Sequence, residues 1–575
     1  RPPGGGVVDL AGSVFRLPDL NDPLSTSLVE AQGSGPTAAF LEVLDFPPLG
    51  FPGKLDLAPR GVGGAAAVRA RLTLPLLKDL ALEQIGVDVA ATLTDLAMTA
   101  PGIGGELRAE RLTLAASVDQ LSAVGDVTLD GAPLRLDWTE TFDPAPDMPQ
   151  SRFIVAATLT QAQRAAFGVE AAPWLDGPVG ARATIELMRG GETRFEADLD
   201  LTDAALSAAP LGWRKAAGAA ARAQVAGRRN GALALSRLTL EAPGLSLAGA
   251  ARLDPAGGLE TLELSRLRLG DLADLQVSVA RDGAGFAVAA RGPLLDSRAF
   301  DGVEAGAGGG ADEDGGPPVA LTLAVERLRV LDQLTIADAE GLLRRRADGA
   351  VTAQLRGRAG GAVTLDYAAD AGGERLRLSA GDAGGLLRAA DLFRDGVGGA
   401  LELDADILRD GGLSLRGEAR LSGFVVSNDP ALSQMLARAD IDAARASGVR
   451  FDTIRAPFTL SGATITLDEA VAYGPTIGVS ISGDYHLDAD RLDMRGVFSP
   501  AFGINSAIGA VPIIGGLLTG GEGRGFIAFN FRLTGPSRDP DVSVNPLSVL
   551  TPGILRRLFD GGDGPTPERQ KPMTR

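Results

Sequence analysis

The sequence predicts a mainly β protein, built as a long, twisted antiparallel meander with few helices. Short segments alternate apolar and polar residues, as in residues 67–74 and 87–93, which is the period of a half-buried strand. Asn-Gly and Asp-Gly pairs separate many of these segments and supply the positive φ that tight hairpin turns need. Glycine accounts for 77 of 575 residues and is spread along the chain, which indicates many turns.

One strand type recurs along the chain. Residues 235–240 (LSRLTL) and 264–269 (LSRLRL) are the best copies, and weaker copies lie at 109–114, 325–330 and 374–378. Because the spacing is irregular, this is a repeated strand and not a strict solenoid period. The polar pair Ser236-Arg237 interrupts the alternation and predicts a β-bulge. Hairpin turns are predicted at Asp130-Gly131, Asn230-Gly231, Asp282-Gly283, Asp348-Gly349 and Asp410-Gly411.

Four short helices interrupt the strands. Thr160 with Gln163 forms a capping-box pattern that opens a helix through Phe167. A second helix is predicted over residues 385–393, a third after Asp429-Pro430, and a last one after Thr551-Pro552. The apolar faces of the last two contain Leu432, Met435, Leu436 and Ala439, and Ile554, Leu555, Leu558 and Phe559, respectively.

Changes of composition divide the chain. Residues 1–150 are interpreted as strand repeats that continue from a missing N-terminal part, and residues 151–302 as further repeats. A flexible acidic Gly-rich loop (303–318), repeats with short helices (319–447), a C-terminal region (448–560) and a disordered tail (561–575) follow. Since the chain starts at Arg1 without a signal peptide or N-terminal membrane helix, we expect a natural N-terminus upstream.

Composition argues against several functional classes. The net charge of -18 disfavours nucleic acid as a partner, because phosphate binding needs a basic surface. The chain has no cysteine and one histidine, His486, so thiolate metal sites, cysteine nucleophiles and histidine clusters are impossible. His486 lies on a predicted strand edge as an ordinary surface residue. No catalytic constellation is found, and we predict neither an enzyme nor a bound metal or cofactor.

The apolar face of such a series of strands must be covered. Two arrangements are open on the residues alone. In one, the sheet folds on itself into closed sandwiches with a packed core. In the other, it curls into a trough whose apolar wall is not filled by protein. That wall would exceed the few hundred Å² of apolar patch usual on soluble proteins and would need a ligand of matching shape, such as lipid acyl chains.

The C-terminal part of the chain has a distinctive order over residues 451–546: strands, then an uncharged run, then strands again. Its short motifs are Arg450-Phe451-Asp452, Thr466-Leu467-Asp468, Ala472-Tyr473-Gly474-Pro475, Ile481-Ser482-Gly483, Ala489-Asp490-Arg491-Leu492-Asp493, Leu517-Leu518-Thr519-Gly520-Gly521, Thr534-Gly535-Pro536, Asp539-Pro540 and Val544-Asn545-Pro546. Together they resemble the C-terminal region of the AsmA-like family of large bacterial envelope proteins, in particular the YhdP type. Residues 211–215 and 292–298 extend the resemblance to about 150–560, whereas residues 1–150 match only in style.

This resemblance implies an open, taco-like β groove and a bridge-like lipid transfer protein. It implies that phospholipid moves along the groove across the periplasm of a Gram-negative bacterium, between the inner and outer membranes. An N-terminal anchor before Arg1 would hold the full-length protein in the inner membrane, and an envelope protein could be a partner. On the resemblance and the alternation together, the groove-lining residues are Leu233, Leu235, Leu238, Leu240, Leu262, Leu264, Leu267, Leu269, Phe458, Leu460, Ile465 and Leu467.

The uncharged run of residues 501–521 is a separate candidate for membrane contact. Its length matches a membrane span, but Asn505, Pro512 and six glycines argue against a spanning helix. Two short apolar helices at a membrane surface or at the groove end are one interpretation, and packing on the sheet is the other. The membrane-proximal side chains would be Phe502, Ile504, Ile508, Val511, Ile513, Ile514, Leu517 and Leu518.

Three other functions compete with lipid transfer. An assembly factor or chaperone for outer-membrane proteins would act by strand addition at an exposed sheet edge. An enzyme would need a catalytic Asp or Glu that the sequence does not single out. A passive structural stalk would tolerate charges along its whole inner face.

Overall fold

The structure is a computed structural model of the chain and describes residues 6–17, 26–45, 51–54, 57–75, 84–100, 104–169, 173–300, 317–409, 414–438, 448–500 and 528–547. These residues form mainly β structure with a few short helices, as predicted. They divide into two compact units. Unit 1 is Arg1–Asp282 with Arg298–Gly310, and unit 2 is Gly283–Ser297 with Ala311–Arg575.

Unit 1 is an antiparallel meander. Its strands are β1 Val14–Arg16, β2 Thr26–Pro36, β3 Gly63–Pro75, β4 Gly86–Thr99, β5 Glu106–Ser117, β6 Gln120–Leu129, β7 Ala132–Thr141, β8 Pro149–Leu159, β9 Leu175–Asp176, β10 Val179–Met188, β11 Thr193–Asp200, β12 Ala205–Ala208, β13 Trp213–Lys215, β14 Arg222–Asn230, β15 Ala232–Ala242, β16 Leu245–Leu253, β17 Leu259–Leu269 and β18 Ala273–Asp282. Neighbours in the chain pair antiparallel, and β9, β12 and β13 form a separate three-stranded sheet beside them.

Unit 2 is also a meander, except that its first two strands pair parallel. Its strands are β19 Gly285–Asp296, β20 Val319–Arg329, β21 Thr335–Arg345, β22 Val351–Ala359, β23 Gly361–Asp370, β24 Gly373–Ala380, β25 Gly396–Val397, β26 Ala400–Leu408, β27 Ser414–Val426, β28 Val449–Ser461, β29 Thr464–Tyr473, β30 Ile477–His486, β31 Arg491–Pro500, β32 Ala528–Pro536 and β33 Asp541–Leu547. Strand β19 pairs parallel with β20, and the strands from β20 onward pair antiparallel.

The described helices are short. They are α1 Thr37–Leu44, α2 Phe51–Lys54, α3 Gln161–Ala166, α4 Ala383–Ala389 and α5 Pro430–Arg438, with 3-10 turns at Pro59–Gly61, Ala209–Leu211 and Ser297–Phe300. The capping box at Thr160 is confirmed, and the Asp429 carboxylate caps α5 by accepting from the Leu432 N–H at 2.7 Å. Helix α4 begins two residues before the predicted start, since Asp382 caps it. Helices α1 and α2 were not predicted.

The predicted bulge at Ser236-Arg237 is confirmed. The pairing register of β15 shifts between Leu235 and Leu238, and that of β17 shifts between Leu264 and Leu267 in the second copy of the same motif. Each bulge serine donates to a carbonyl of a neighbouring strand: Ser236 to Ala226 at 3.3 Å, and Ser265 to Ala248 at 3.2 Å. The Leu-Ser-Arg-Leu motif is therefore a repeated device that bends the strand and increases its twist.

A glycine lies opposite each of these two bulges. A Cβ atom on Gly227 would lie 2.4 Å from the Ala234 carbonyl oxygen, and one on Gly249 would lie 2.1 Å from that of Glu263. No other residue type fits at these distances without moving the backbone. Part of the high glycine content therefore serves the close approach of bent strands and not turns alone.

Candidate functional site: the apolar face of the sheet

Strand pairing places the predicted lining residues of unit 1 on one face of the sheet. Leu238 pairs with Gly249, which pairs with Leu264, and Leu240 pairs with Leu247, which pairs with Leu267. Directly opposed residues share a face, because side chains alternate along each strand. The same register carries Leu233, Leu235, Leu262 and Leu269 on that face. We call it the apolar face, and the opposite one the outer face.

The predicted residues of unit 2 also share one face. Phe458 pairs with Leu467, and Leu460 pairs with Ile465 across β28 and β29. Through Tyr485 and Leu492 the same row continues on β30 and β31. The predicted residues of each unit therefore share one face of the sheet, and their role as groove lining stays a prediction.

Most of these side chains are neither packed nor fully exposed. Eleven of the twelve have intermediate exposure, and only Leu269 is buried, at 4% exposed. Apolar side chains on the outer face are more open, with Val124 at 38% and Ile154 at 44%. Intermediate exposure is what neighbouring side chains give one another on a wall that no second sheet covers.

The outer face is ionic. In unit 2, the Arg377 Nε donates to Asp404 at 3.1 Å, and Arg455 makes two hydrogen bonds to the Glu418 carboxylate at 2.7 and 3.2 Å. These pairs lie directly across or diagonally between neighbouring strands, where opposite charges attract. Surface pairs of this kind add little stability, but they keep the outer face compatible with water.

The outer face of unit 1 also holds an open cavity of about 2000 Å³ along one end of strands β4–β15. Outer-face residues such as Thr239 and Glu241 line it, together with apolar residues that alternate with them on other strands, such as Val127, Leu134 and Leu199. Its cross-strand partners alternate in charge, as in Asp126 with Arg135 and Arg182 with Asp198. A twisted sheet is saddle-shaped, so each face is concave in one direction. Because these charged pairs lie on the outer face, the cavity is separate from the candidate site.

Helices cover one edge of the apolar face in unit 2. This helical edge is the row of strand ends at Ala380, Val426, Val449 and Ile477, and α4 and α5 arise beside it. Leu386 of α4 and Met435 and Leu436 of α5 are buried in one cluster with side chains of the sheet. The sheet residues of that cluster include Phe424, Phe451, Ile477, Phe498, Phe531 and Val544. Phe458, Leu460, Ile465 and Leu467 lie toward the opposite end of their strands.

The position of α5 shows that this sheet is curled. Helix α5 follows β27 closely and yet contacts β33, six strands further along the sheet. In a flat sheet those strands would be about 29 Å apart, whereas a nine-residue helix is about 14 Å long. The apolar face is therefore concave here, which is the predicted groove and not a closed sandwich.

In unit 1, α1 lies at the start of the apolar face. Leu41 of α1 packs against a buried cluster that runs from Leu96 on β4 to Phe153 on β8. Trp138 stacks on Phe153 with ring centroids 5.9 Å apart. Strands β4–β8 are thus packed more completely than β15–β17, where the predicted leucines lie.

Polar groups border the apolar face, and sequence reasoning missed them. Tyr367 donates to Glu374 at 3.0 Å, and Glu374 in turn accepts two hydrogen bonds from Arg409. Tyr485 donates to Asp490 at 3.2 Å. Both tyrosines occupy apolar-face positions of the alternating pattern near strand ends. That position is the sequence signal by which the border could have been found. An amphipathic ring at that place indicates where the wall meets water.

Arginine hydrogen bonds hold the pKa of the Glu374 carboxyl below its usual range, with a further hydrogen bond from Tyr367. The pKa of Tyr485 is raised, chiefly by burial. At neutral pH this border therefore carries charged carboxylates and neutral phenols, a polar rim beside an apolar wall.

A buried carboxylate marks the corresponding border in unit 1. Glu140 is 4% exposed and accepts from Ser151 at 2.6 Å, from Gln150 at 3.2 Å and from Trp138 at 3.3 Å. All three donors are neutral. The arrangement satisfies the carboxylate and ends the apolar wall on β7 and β8.

The described residues contain no cluster of three His, Asp or Glu side chains placed to hold a metal ion. Among the described helices, none combines the length and apolar character needed to cross a membrane. The predicted membrane-proximal residues of 501–521, the helix after Thr551 and the turn at Asp410-Gly411 lie outside the described residues. Neither a family model, nor a curated protein, nor a solved structure matches the chain.

Proposed function

We propose that this protein is a bridge-like lipid transfer protein that conducts phospholipid along the apolar face of its sheet. The observation that carries the proposal is the partly exposed wall of aliphatic side chains that continues from strand to strand in each unit. Leaving so much apolar surface uncovered costs free energy in water, at about 25 cal/mol per Å². Hydrocarbon chains would cover it.

The chemistry of the wall suits passage better than one tight site. Its predicted lining residues are ten leucines, Ile465 and Phe458, and aromatic residues make up only 5% of the chain. A specific pocket would combine an enclosed shape with a few convergent polar groups. A wall without such groups binds acyl chains of different length and unsaturation with similar free energy, so a lipid can slide along it.

The polar rim supports an amphiphilic occupant. With acyl chains on the apolar face, a headgroup would lie near strand ends, where Glu374, Arg409 and Asp490 are hydrated and charged. A phospholipid bound in this way would have its acyl chains on the apolar face and its headgroup in water at the rim. A purely apolar ligand would make no contact that uses the charged rim.

The envelope setting follows from the resemblance to AsmA-like proteins. On that basis we propose a periplasmic location between inner and outer membrane, with an inner-membrane anchor in the full-length protein. The acidic net charge of -18 would keep the outer face from adhering to anionic headgroups along its length.

Lipid extraction and transfer test the proposal. Purified protein should carry phospholipid detectable by mass spectrometry, and should accelerate transfer of a fluorescent phospholipid between vesicles. A photocrosslinking residue at Leu264 should label lipid, whereas one at the outer-face neighbour Glu263 should not. Lipid-free protein without transfer activity would overturn the proposal. Crosslinks from β33 to outer-membrane proteins would instead support strand addition.

A further inference from the structure

A segment of unit 2 crosses the apolar face from one edge of the sheet to the other. We call residues 382–396 the strap; it leaves β24 at the helical edge, includes α4, and returns to that edge at β25. At its tip, Asp391 accepts a hydrogen bond from Arg538 at 3.2 Å. Arg538 lies in the turn between β32 and β33, which belongs to the opposite, turn edge formed by Thr464, His486 and Arg491.

This contact exists only because the sheet is curled. From β24 to β32 a flat sheet would extend about 34 Å sideways, and the nine-residue β32 would add about 30 Å lengthwise. The strap from Ala380 to Asp391 reaches about 25 Å, counting α4 at about 1.5 Å per residue. The two edges must therefore approach each other, with the strap spanning the opening between them.

The strap is anchored firmly at its base. Ala383 and Gly384 donate backbone hydrogen bonds to Gly399 and Gly398 at 2.7 and 3.0 Å. Leu386 is buried, and Phe393 packs on Phe424 with centroids 6.2 Å apart. These contacts tie the strap to the helical edge without involving the turn edge.

The tip is held by exposed polar contacts. Asp391 has φ +55°, a left-handed conformation that an aspartate adopts at some cost, and it also accepts from Arg394 at 2.8 Å. Both Asp391 and Arg538 remain substantially exposed, at 32% and 61% of their side chains. An exposed ion pair adds little stability, so this end can release while the base stays in place.

Arg538, which holds the tip, follows Ser537 at a point beside Tyr485, whose cross-strand partner is the predicted lining residue Ile465. Ser537, next to Arg538, and Tyr485 both donate to Asp490. The turn edge therefore has hydrogen-bonded polar side chains next to the tip of the strap and directly beside the apolar wall.

We propose that the Asp391–Arg538 ion pair is the latch of this strap, and that its release opens the groove of unit 2 laterally to acyl chains. The proposal rests on the proposed function, since it assigns a gate to the same apolar face. The acyl chains of phospholipid enter through this opening, and the strap pivots at the base of α4.

Crosslinking tests the latch in a clean background, because the chain has no cysteine. The variant Asp391→Cys/Arg538→Cys is joined with a short bismaleimide, since the long arginine separates the two backbones too far for a disulfide. Joining should slow vesicle-to-vesicle phospholipid transfer at least several-fold relative to the unjoined variant. The matched control, Asp493→Cys/Arg532→Cys, replaces an Arg–Asp pair on the outer face of β31 and β32 and should transfer equally well joined or unjoined.

Charge variants test the same contact in the opposite direction. Arg538→Gln should raise the transfer rate, and the exchanged pair Asp391→Arg/Arg538→Asp should restore it toward the original value. Equal rates in joined and unjoined protein overturn the latch while leaving lipid transfer standing. If no variant transfers lipid, the proposed function fails.

A labelling readout decides the latch independently of transfer. A single cysteine at Ile465 should react faster with a maleimide when Arg538→Gln is also present. Circular dichroism should show unchanged strand content in both proteins. An unchanged labelling rate overturns the latch even if lipid transfer is never observed.

Discussion

Gly360 and Gly385 lie backbone to backbone where α4 meets the turn between β22 and β23. A Cβ atom on Gly360 would lie 2.3 Å from the Gly385 carbonyl carbon, closer than real Cβ contacts. This approach seats α4 on the sheet and explains why a seven-residue helix contains two glycines. The contact fixes the base of the strap.

Gly360→Ala should destabilise unit 2 by about 3 kcal/mol, through steric overlap with α4 and the strain of a positive φ. Urea unfolding followed by circular dichroism measures the loss. Gly349→Ala is the control: its φ of +81° is close to the +73° of Gly360, but nothing lies within 4 Å of the added Cβ. Equal losses for both variants would show that backbone strain, and not packing of α4, is responsible.

Lys215 on β13 ties the small sheet of β9, β12 and β13 to the connection between β11 and β12. The ammonium group is buried and donates to the carbonyls of Leu201, Thr202 and Ala204 at 2.8, 3.0 and 2.7 Å. Lys215→Met should cost about 3 kcal/mol, because those carbonyls would lose their donor in a site closed to water.

The neighbour Arg214 is exposed, so Arg214→Met should leave stability unchanged within about 0.5 kcal/mol. Fluorescence of Trp213, whose indole N–H donates to the Pro243 carbonyl, reports unfolding locally. Similar midpoints for Lys215→Met and the original protein would mean that water reaches the three carbonyls.

Local patterns predicted the strands and the face of each side chain. Two-residue alternation put Leu238 and Leu264 on the same face, and the Ser236-Arg237 interruption predicted the bulge. These features depend on neighbours within a few residues of the chain. Short-range rules of side-chain parity and turn geometry therefore suffice for them.

The approach of the two sheet edges in unit 2 could not be predicted from such local patterns. The Asp391–Arg538 pair joins residues 147 positions apart, and its existence depends on how far the sheet curls. Curl accumulates from small twists and bulges over many strands, so no single residue specifies it. Helix α1 was missed because its N-cap, Pro36, provides no side-chain hydrogen bond and its first turn has no acidic residue.

Asp429 gives α5 a pH-dependent stability. Burial raises the pKa of its carboxyl, and the nearby Asp395 raises it further, although the Leu432 N–H favours the charged form. For a carboxyl with a raised pKa, the stabilising contribution is complete at acid pH and is lost as pH rises through the folded-state value. Neutral pH is therefore the less favourable condition for this cap.

Asp429→Asn should stabilise unit 2 at pH 7.5, because the amide oxygen still accepts the Leu432 N–H without a buried charge. The difference from the original protein should vanish near pH 3, where the carboxyl is protonated. Urea midpoints at the two pH values measure this. Asp382→Asn, which also replaces a capping carboxylate, controls for the amide itself; a loss of stability in Asp429→Asn at pH 7.5 would contradict the sign.

Leu238 and Thr239 are consecutive residues of β15 that face opposite sides of the sheet, and both have intermediate exposure. Leu238→Asp places a carboxylate on the apolar face, so a lipid must pass a charge that hydrocarbon cannot solvate. We expect phospholipid transfer to fall about tenfold, equivalent to about 1.4 kcal/mol. Thr239→Asp puts the same charge on the outer face and should leave transfer unchanged.

Stability separates a groove from a packed core at this position. In a groove, the Leu238→Asp carboxylate keeps access to water, and the urea midpoint should stay close to that of Thr239→Asp. In a filled core the same substitution would bury an unpaired charge and unfold the unit. Loss of transfer together with loss of fold would therefore count against an open wall, whereas loss of transfer with the fold retained is the outcome that only a solvent-accessible lipid path gives.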